Sequence, residues 1–192
     1  MQKKVAPKLK TIVTPSKSSK NGIVGEFNCK SSNITVINNG LDYEEFAPIS
    51  NIERNKNRLI TTASADVALK GLDFSLKALK LLKKNNSKIH LIIIGAPKKN
   101  GHTEKLIKKL NIEDNVIFKK NISKEKIREL YSTSSIAIVS SLYEGFGYPV
   151  IEAMSCEVPL IATNTSSIPE LVRSYGILID PKDEKKLSIN IE

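Results

Sequence analysis

Ile89-His90-Leu91-Ile92-Ile93-Ile94-Gly95 decides the fold, because every residue from Leu91 to Ile94 is apolar and Gly95 ends the run. A strand with one wet face alternates polar with apolar. A continuous apolar run closed by glycine is the pattern of a strand covered on both faces, as in a parallel sheet. On the upstream side, Leu72, Leu76, Leu79 and Leu82 recur at helical spacing, with Lys77, Lys80, Lys83 and Lys84 among and after them. That is an amphipathic helix with its apolar stripe turned inward. On the downstream side, Leu106, Ile107 and Leu110 repeat the spacing, as do Ile127, Leu130 and Tyr131 behind a helix start at Ser123.

Further short apolar runs lie at Thr11–Thr14, Ile34–Ile37, Leu59–Thr62, Val116–Phe118, Ile136–Val139, Leu160–Thr163 and Ile177–Ile179. Strand alternating with helix predicts βαβ units and an α/β, Rossmann-like doubly wound parallel sheet. In such a sheet, ligands meet the carboxyl ends of the strands. Asn38-Asn39-Gly40-Leu41-Asp42 is a turn cluster, and the polar Asn51–Asn57 stretch is read as a loop before the main sheet. The compact unit spans roughly residues 58–180. The tail from Asp183 to Glu192 shows no completed apolar element.

The chain has 192 residues, 40% hydrophobic and 26% charged, which supports a buried core and excludes disorder throughout. No apolar stretch approaches the ~20 residues of a bilayer span, and no signal core follows Met1-Gln2-Lys3-Lys4. The expectation is a cytoplasmic chain. Cys29 and Cys156 stand apart without a Cys-x-x-Cys or Cys/His cluster, so neither zinc nor a disulfide framework is expected. The net charge of +10 is almost all lysine; the arginines are Arg54, Arg58, Arg128 and Arg173, and Trp is absent. Nucleic-acid readers rely on arginine and stacking aromatics, so no nucleic-acid partner is expected. A Lys/Asn/Ile excess from AT-rich coding accounts for the charge; an anionic membrane surface, met peripherally, is the second account.

The residues that can carry chemistry follow the run ending at Val139: Ser140-Ser141-Leu142-Tyr143-Glu144-Gly145-Phe146-Gly147-Tyr148-Pro149-Val150-Ile151-Glu152-Ala153-Met154. Small residues let the backbone approach a ligand. Pro149 suits the first helical position, and the helix then turns its unpaired N–H groups toward the sheet edge, a site for an anion such as phosphate. Glu144 precedes the helix and Glu152 is read into its first turn. Two accounts of the carboxylates stand side by side. Either they accept hydrogen bonds from sugar and ribose hydroxyls, or Glu152 only complements the helix dipole and Glu144 meets solvent. A two-carboxylate glycosidase is the rival chemistry, weakened by the phosphate-type loop between the acids. His90 and His102 read as structural or solvent-facing, and Asp66 as a turn former.

Glu-Gly-Phe-Gly-Tyr-Pro-Val-Ile-Glu-Ala-Met resembles the E-x7-E signature of family 4 glycosyltransferases, which have the GT-B fold. Val36–Asp42 resembles that family's hinge, Ala68-Leu69-Lys70-Gly71-Leu72 its donor-phosphate segment, and Val158–Thr163 and Ile168–Val172 the segments behind the motif. The resemblance runs from about residue 5 to 187. It implies that Lys70 binds the diphosphate of a sugar nucleotide and that Glu144 contacts the donor sugar. It further implies that the backbone of Gly145, Phe146, Gly147 and Tyr148 approaches sugar and phosphates, and that Glu152 holds the ribose. Retention of anomeric configuration is implied, with no metal and no cofactor beyond the nucleotide-sugar substrate.

The sequence departs from the family pattern in places. The arginine common before the phosphate lysine is absent, with Ser64 and Ala65 there instead, and Phe118-Lys119-Lys120-Asn121 replaces a glycine-containing turn. The expected layout is a remnant of an N-terminal domain and the hinge in 1–50, a donor-binding Rossmann-like domain in 51–187, and a truncated tail in 188–192. That is one GT-B half with a fragment of the other. The acceptor half would come from a separate chain, or the protein would be a binding remnant without catalysis. A GT-B epimerase ranks lower, since it does not rest on E-x7-E.

Overall fold

The computed structural model describes residues 2–192. In its first part α1 (Gln2–Val5), β1 (Ile12–Thr14), α2 (Lys17–Phe27), β2 (Ile34–Val36) and α3 (Tyr43–Phe46) follow one another. The main unit continues with β3 (Asn55–Thr62), α4 (Leu72–Leu82), β4 (His90–Ile94), α5 (His102–Leu110), β5 (Val116–Lys119) and α6 (Lys124–Ser132). It closes with β6 (Ser134–Val139), α7 (Tyr148–Ser155), β7 (Leu160–Thr163), α8 (Ile168–Val172), β8 (Ile177–Ile179) and α9 (Glu184–Ile191).

Strands β3–β8 form one parallel sheet in the order β5-β4-β3-β6-β7-β8, and β1 and β2 pair parallel in a sheet of their own. A parallel pair needs a crossover; α2 supplies it between β1 and β2. Both faces of the main sheet are covered, as the Leu91–Ile94 run requires. Leu59, Leu91, Ile93, Ile138 and Ile161 face a core shared with Leu72, Leu76, Leu79 and Leu82 of α4. Their sequence neighbours Ile60, Ile92, Ala137, Leu160 and Ala162 face the opposite core, with Leu130, Tyr131, Val150 and Ile168. Successive side chains thus alternate between two apolar layers. Each buried leucine contributes roughly 1.5–3 kcal/mol.

The structure corrects three sequence expectations outside the site. β3 starts at Asn55, inside the stretch read as a loop: the Asn55 amide donates to Thr133 O at 2.9 Å and Asn55 pairs with Ser134. Backbone pairing, not side-chain apolarity, extends that strand. Helix α2 was not expected; it carries two glycines and buries no residue fully, so it has no apolar stripe to read, but Ser16 caps it. The tail is a helix. Leu187 of α9 is 1% exposed and packs into the α4 core, with Ile191 against it. Both cysteines are free and buried. Among the described residues, no helix is long and apolar enough to cross a membrane.

Candidate functional site

The sheet order reverses between β3 and β6. From β3 the chain builds outward through β4 to β5, then returns to start β6 on the other side. A crevice outside the carboxyl ends of such a pair is where open α/β sheets bind ligands. Thr62 ends β3 and Val139 ends β6.

The loop leaving β3 is held by its own polar groups. Asp66 adopts a left-handed conformation, φ 64°, and its carboxylate accepts the amides of Lys98 at 2.7 Å and Thr103 at 2.8 Å. Burial pushes the Asp66 carboxyl up, but those amides outweigh it and hold it below the ordinary carboxylate range. A single 3-10 turn, Ala68–Lys70, then ends on Gly71 at φ 61°. A Cβ on Gly71 would stand 1.9 Å from the Ser140 carbonyl oxygen. Only glycine lets this turn lie so close to the end of β6. The Leu142 amide donates to Leu69 O at 2.8 Å, and the Ser140 hydroxyl to Gly71 O at 3.0 Å.

This contact carries Lys70 to Glu144. Lys70 Nζ lies 2.7 Å from Glu144 Oε1, with side-chain exposures of 28% and 10%. The Ser141 hydroxyl donates to the same oxygen at 2.8 Å. An ammonium has three hydrogens, and Glu144 is the one acceptor it meets among the described residues. Glu144 Oε2 has no protein partner among them.

Serine hydroxyls fix the peptide planes of the loop. Ser167 Oγ lies 2.8 Å from Glu144 O and 2.7 Å from Phe146 O, sharing its proton between them. Ser16 and Ser19 donate to Gly145 O at 2.8 and 3.0 Å. The Glu144 amide donates to Ser166 Oγ at 2.9 Å. Among the described residues the next amides, those of Gly145, Phe146, Gly147 and Tyr148, find no protein acceptor. They run into the start of α7, where Gly147 at φ 109° is the N-cap. Successive unpaired amides at the positive end of a helix are suited to a phosphate.

Glu152 is the fifth residue of α7, in its second turn; Tyr148 is the first and Pro149 the second. This corrects the first-turn expectation and sets Glu152 beyond the turn where the dipole acts strongly. The Tyr131 hydroxyl lies 3.3 Å from Glu152 Oε2 and 2.8 Å from Thr62 Oγ1. Glu152 is thereby joined to the last residue of β3. Burial pushes the Glu152 carboxyl above its ordinary range, opposed by the Tyr131 bond. Burial also pushes the fully buried Tyr131 phenol up, and the charge of Glu152 adds to this.

The structure therefore brings Lys70 and Glu144 into contact, places the unpaired amides in the same loop as Glu144, and ties Glu152 through Tyr131 to the end of β3. A groove of about 690 Å³ lies between the first segment and α7–α8, with Lys17, Asn38, Phe146 and Arg173 among its walls. A second, of about 510 Å³, adjoins Gly71, His102 and Leu142. Neither has Lys70, Glu144 or Glu152 in its lining. Lys119 ends the edge strand β5, two strands from β3. His102 pairs with Asp73 at 2.7 Å and is exposed; His90 opens β4.

Sequence reasoning missed Ser16, Ser19, Ser166, Ser167 and Tyr131, and gave Ser141 no role of its own. The one signal was the Thr165-Ser166-Ser167 cluster between a strand and a helix, typical of a strand-end loop.

Residues 42–192 match the family described as Glycosyl transferases group 1, and the chain belongs to that family. It is 35% identical to the MMP alpha-(1->4)-mannosyltransferase of Mycolicibacterium hassiacum, over 98% of this chain and 46% of that protein. The fold matches sucrose-phosphate synthase from Thermosynechococcus elongatus with a TM-score of 0.82 at 21% identity, covering 99% of this chain and 50% of the other. It matches Anabaena HepE in complex with UDP and glucose with a TM-score of 0.81 at 20% identity, covering 98% and 55%. The main sheet is thus a Rossmann-like half of the GT-B type, and the chain spans about half the length of the curated relatives it matches.

Proposed function

We propose that this chain is the donor-binding half of a retaining, family 4 glycosyltransferase that uses a nucleotide-diphosphate sugar. The observation that carries the reading is the Lys70–Glu144 ion pair standing against a loop with four successive unpaired amides. Lys70 keeps two ammonium hydrogens for the diphosphate while the third holds Glu144. The amides of Gly145, Phe146, Gly147 and Tyr148 add backbone donors. When the sugar–phosphate bond breaks, negative charge grows on the leaving diphosphate, and preorganised donors stabilise that charge as it develops. Glu144 Oε2 is free to accept from a sugar hydroxyl, and Glu152 Oε1 from the ribose.

Lys70 also screens the diphosphate from Glu144, whose carboxylate would otherwise repel it. In this account the lysine and the amides carry the diphosphate charge, and no metal is assigned. The E-x7-E resemblance supports retention and family 4, and HepE bound to UDP and glucose supports a nucleotide-sugar donor. Transfer requires an acceptor held against the donor. We assign only the donor side here, acting in the cytoplasm.

Isothermal titration of the chain with UDP, GDP and ADP tests the proposal. One of the three should bind, and Lys70→Ala should weaken it roughly 10- to 100-fold, the worth of a charge-assisted hydrogen bond. Absence of binding by all three, or unchanged affinity in both Lys70→Ala and Glu152→Ala, would overturn it.

A further inference from the structure

The family match begins at residue 42, yet a segment ahead of it reaches the glycine loop. Ser16 caps α2, and Ser19 lies in that helix's first turn. Both hydroxyls donate to Gly145 O, at 2.8 and 3.0 Å, and fill its two lone pairs. The register is held from below: Glu170 of α8 accepts the amides of Lys17 at 2.9 Å and Ser18 at 2.7 Å. A clamp of four hydrogen bonds therefore joins α2 to the loop and to α8.

Gly145 has little restraint of its own. A Cβ placed there would meet only Ser19 Oγ, at 3.8 Å, and glycine backbones turn freely. The peptide between Gly145 and Phe146 is trans and planar, so its carbonyl and its N–H point in opposite directions. Fixing the carbonyl on the two serines fixes the direction of the Phe146 amide. Ser167 does the same for the planes on either side, from within the matched span.

We propose that Ser16 and Ser19 are positioning residues of the donor site: their hydroxyls orient the Gly145–Phe146 peptide toward the diphosphate sugar. A donor site assembled from 42–192 alone is then incompletely ordered. This rests on the donor-binding reading above. A ligand that meets the Phe146 amide gains from the clamp, and by reciprocity tightens α2 against the loop.

The test uses the full chain, titrated with UDP, GDP and ADP, in three forms besides wild type: Lys70→Ala, Ser16→Gly with Ser19→Ala, and Ser16→Thr with Ser19→Thr. Glycine keeps most of the N-cap of α2 but lacks the hydroxyl. The Gly/Ala pair should raise Kd about tenfold while Tm falls by no more than about 4–8 °C, the worth of the two lost hydrogen bonds. The Thr/Thr pair should restore Kd to within about twofold. Wild-type affinity in the Gly/Ala pair, with Lys70→Ala still weakened, overturns this inference and leaves the donor reading standing. A large Tm loss without rescue by threonine also overturns it, since the serines would then only hold the fold. If wild type binds none of the three nucleotides, the donor reading fails and the inference falls with it.

Discussion

Replacing Gly71 with alanine strikes the joint that brings the Lys70 turn to the end of β6. The added Cβ would lie 1.9 Å from the Ser140 carbonyl oxygen and 2.9 Å from its carbon, where ordinary contact starts near 3.4 Å. The two segments must separate by about 1.5 Å, or the turn must be rebuilt. At φ 61° a non-glycine residue adds about 1 kcal/mol of its own. Separation strains the Leu142–Leu69 and Ser140–Gly71 hydrogen bonds and the 2.9 Å Ser75–Ser140 pair, at about 1 kcal/mol each. Together these come to about 3–5 kcal/mol, or a fall in Tm of roughly 6–20 °C for a domain of this size.

Lys70 precedes Gly71, so a displacement on the order of 1 Å also costs donor affinity tenfold or more. Differential scanning fluorimetry reads the first quantity and calorimetric titration with whichever of UDP, GDP and ADP binds the wild type reads the second. Gly145→Ala is the control for folding, because its Cβ meets only Ser19 Oγ at 3.8 Å; its Tm should stay near wild type. An unchanged Tm and affinity in Gly71→Ala would refute the claim that this contact sets the site.

Further expectations concern single groups. Because burial raises the Glu152 pKa, the native chain binds that proton more tightly than the unfolded chain, and the group costs stability as pH rises through the raised value. Glu152→Gln should therefore melt higher than wild type at neutral pH, with the difference shrinking on acidification, while nucleotide affinity falls. In wild type that affinity should also weaken as pH is lowered through the same value, and the Gln variant should lose this component and keep only the part that the ligand's own phosphate contributes; parallel melting and titration series across pH check both. Ser167→Ala frees two loop carbonyls and should weaken binding of the nucleoside diphosphate about tenfold, measured by titration. Leu187→Ala should destabilise the chain by about 2–4 kcal/mol, measured by urea denaturation, if α9 belongs to the core; a tail that merely trails would give no change.

The main sheet was legible because its inner strands β4, β6 and β7 are buried on both faces. Leu91–Ile94 and its counterparts show their role in composition alone, and Leu72, Leu76, Leu79 and Leu82 of α4 show theirs in spacing. Asn55–Asn57 were not legible, since they join β3 through backbone pairing while their side chains stay polar. Helix α2 has no apolar stripe, and Gly22 and Gly25 weaken it further; its cap and the docking of its start on Glu170 are what the sequence conceals. Pro149 was placed one position early because Gly147, in a left-handed conformation, serves as the cap and leaves Tyr148 as the first helical residue.

The candidate site divides in the same way. Glu144, Glu152 and the glycine loop are contiguous and could be read as a motif. Lys70 stood out among many lysines only through the family resemblance. Its bond to Glu144 spans 74 residues of sequence, and that of Ser16 to Gly145 spans 129. Such bonds depend on where the folded chain places a hydroxyl, and a serine carries no local sign of that use.

The central claim is that a diphosphate rests against the unpaired amides ahead of α7 with Lys70 beside them. Amide-resolved NMR during titration with the nucleoside diphosphate that binds tests it directly. The amides of Gly145, Phe146, Gly147 and Tyr148 should show the largest saturable shifts, with the Lys70 turn moving in step. Saturable binding that leaves those four resonances in place and perturbs the groove at Asn38 and Arg173 instead would contradict it.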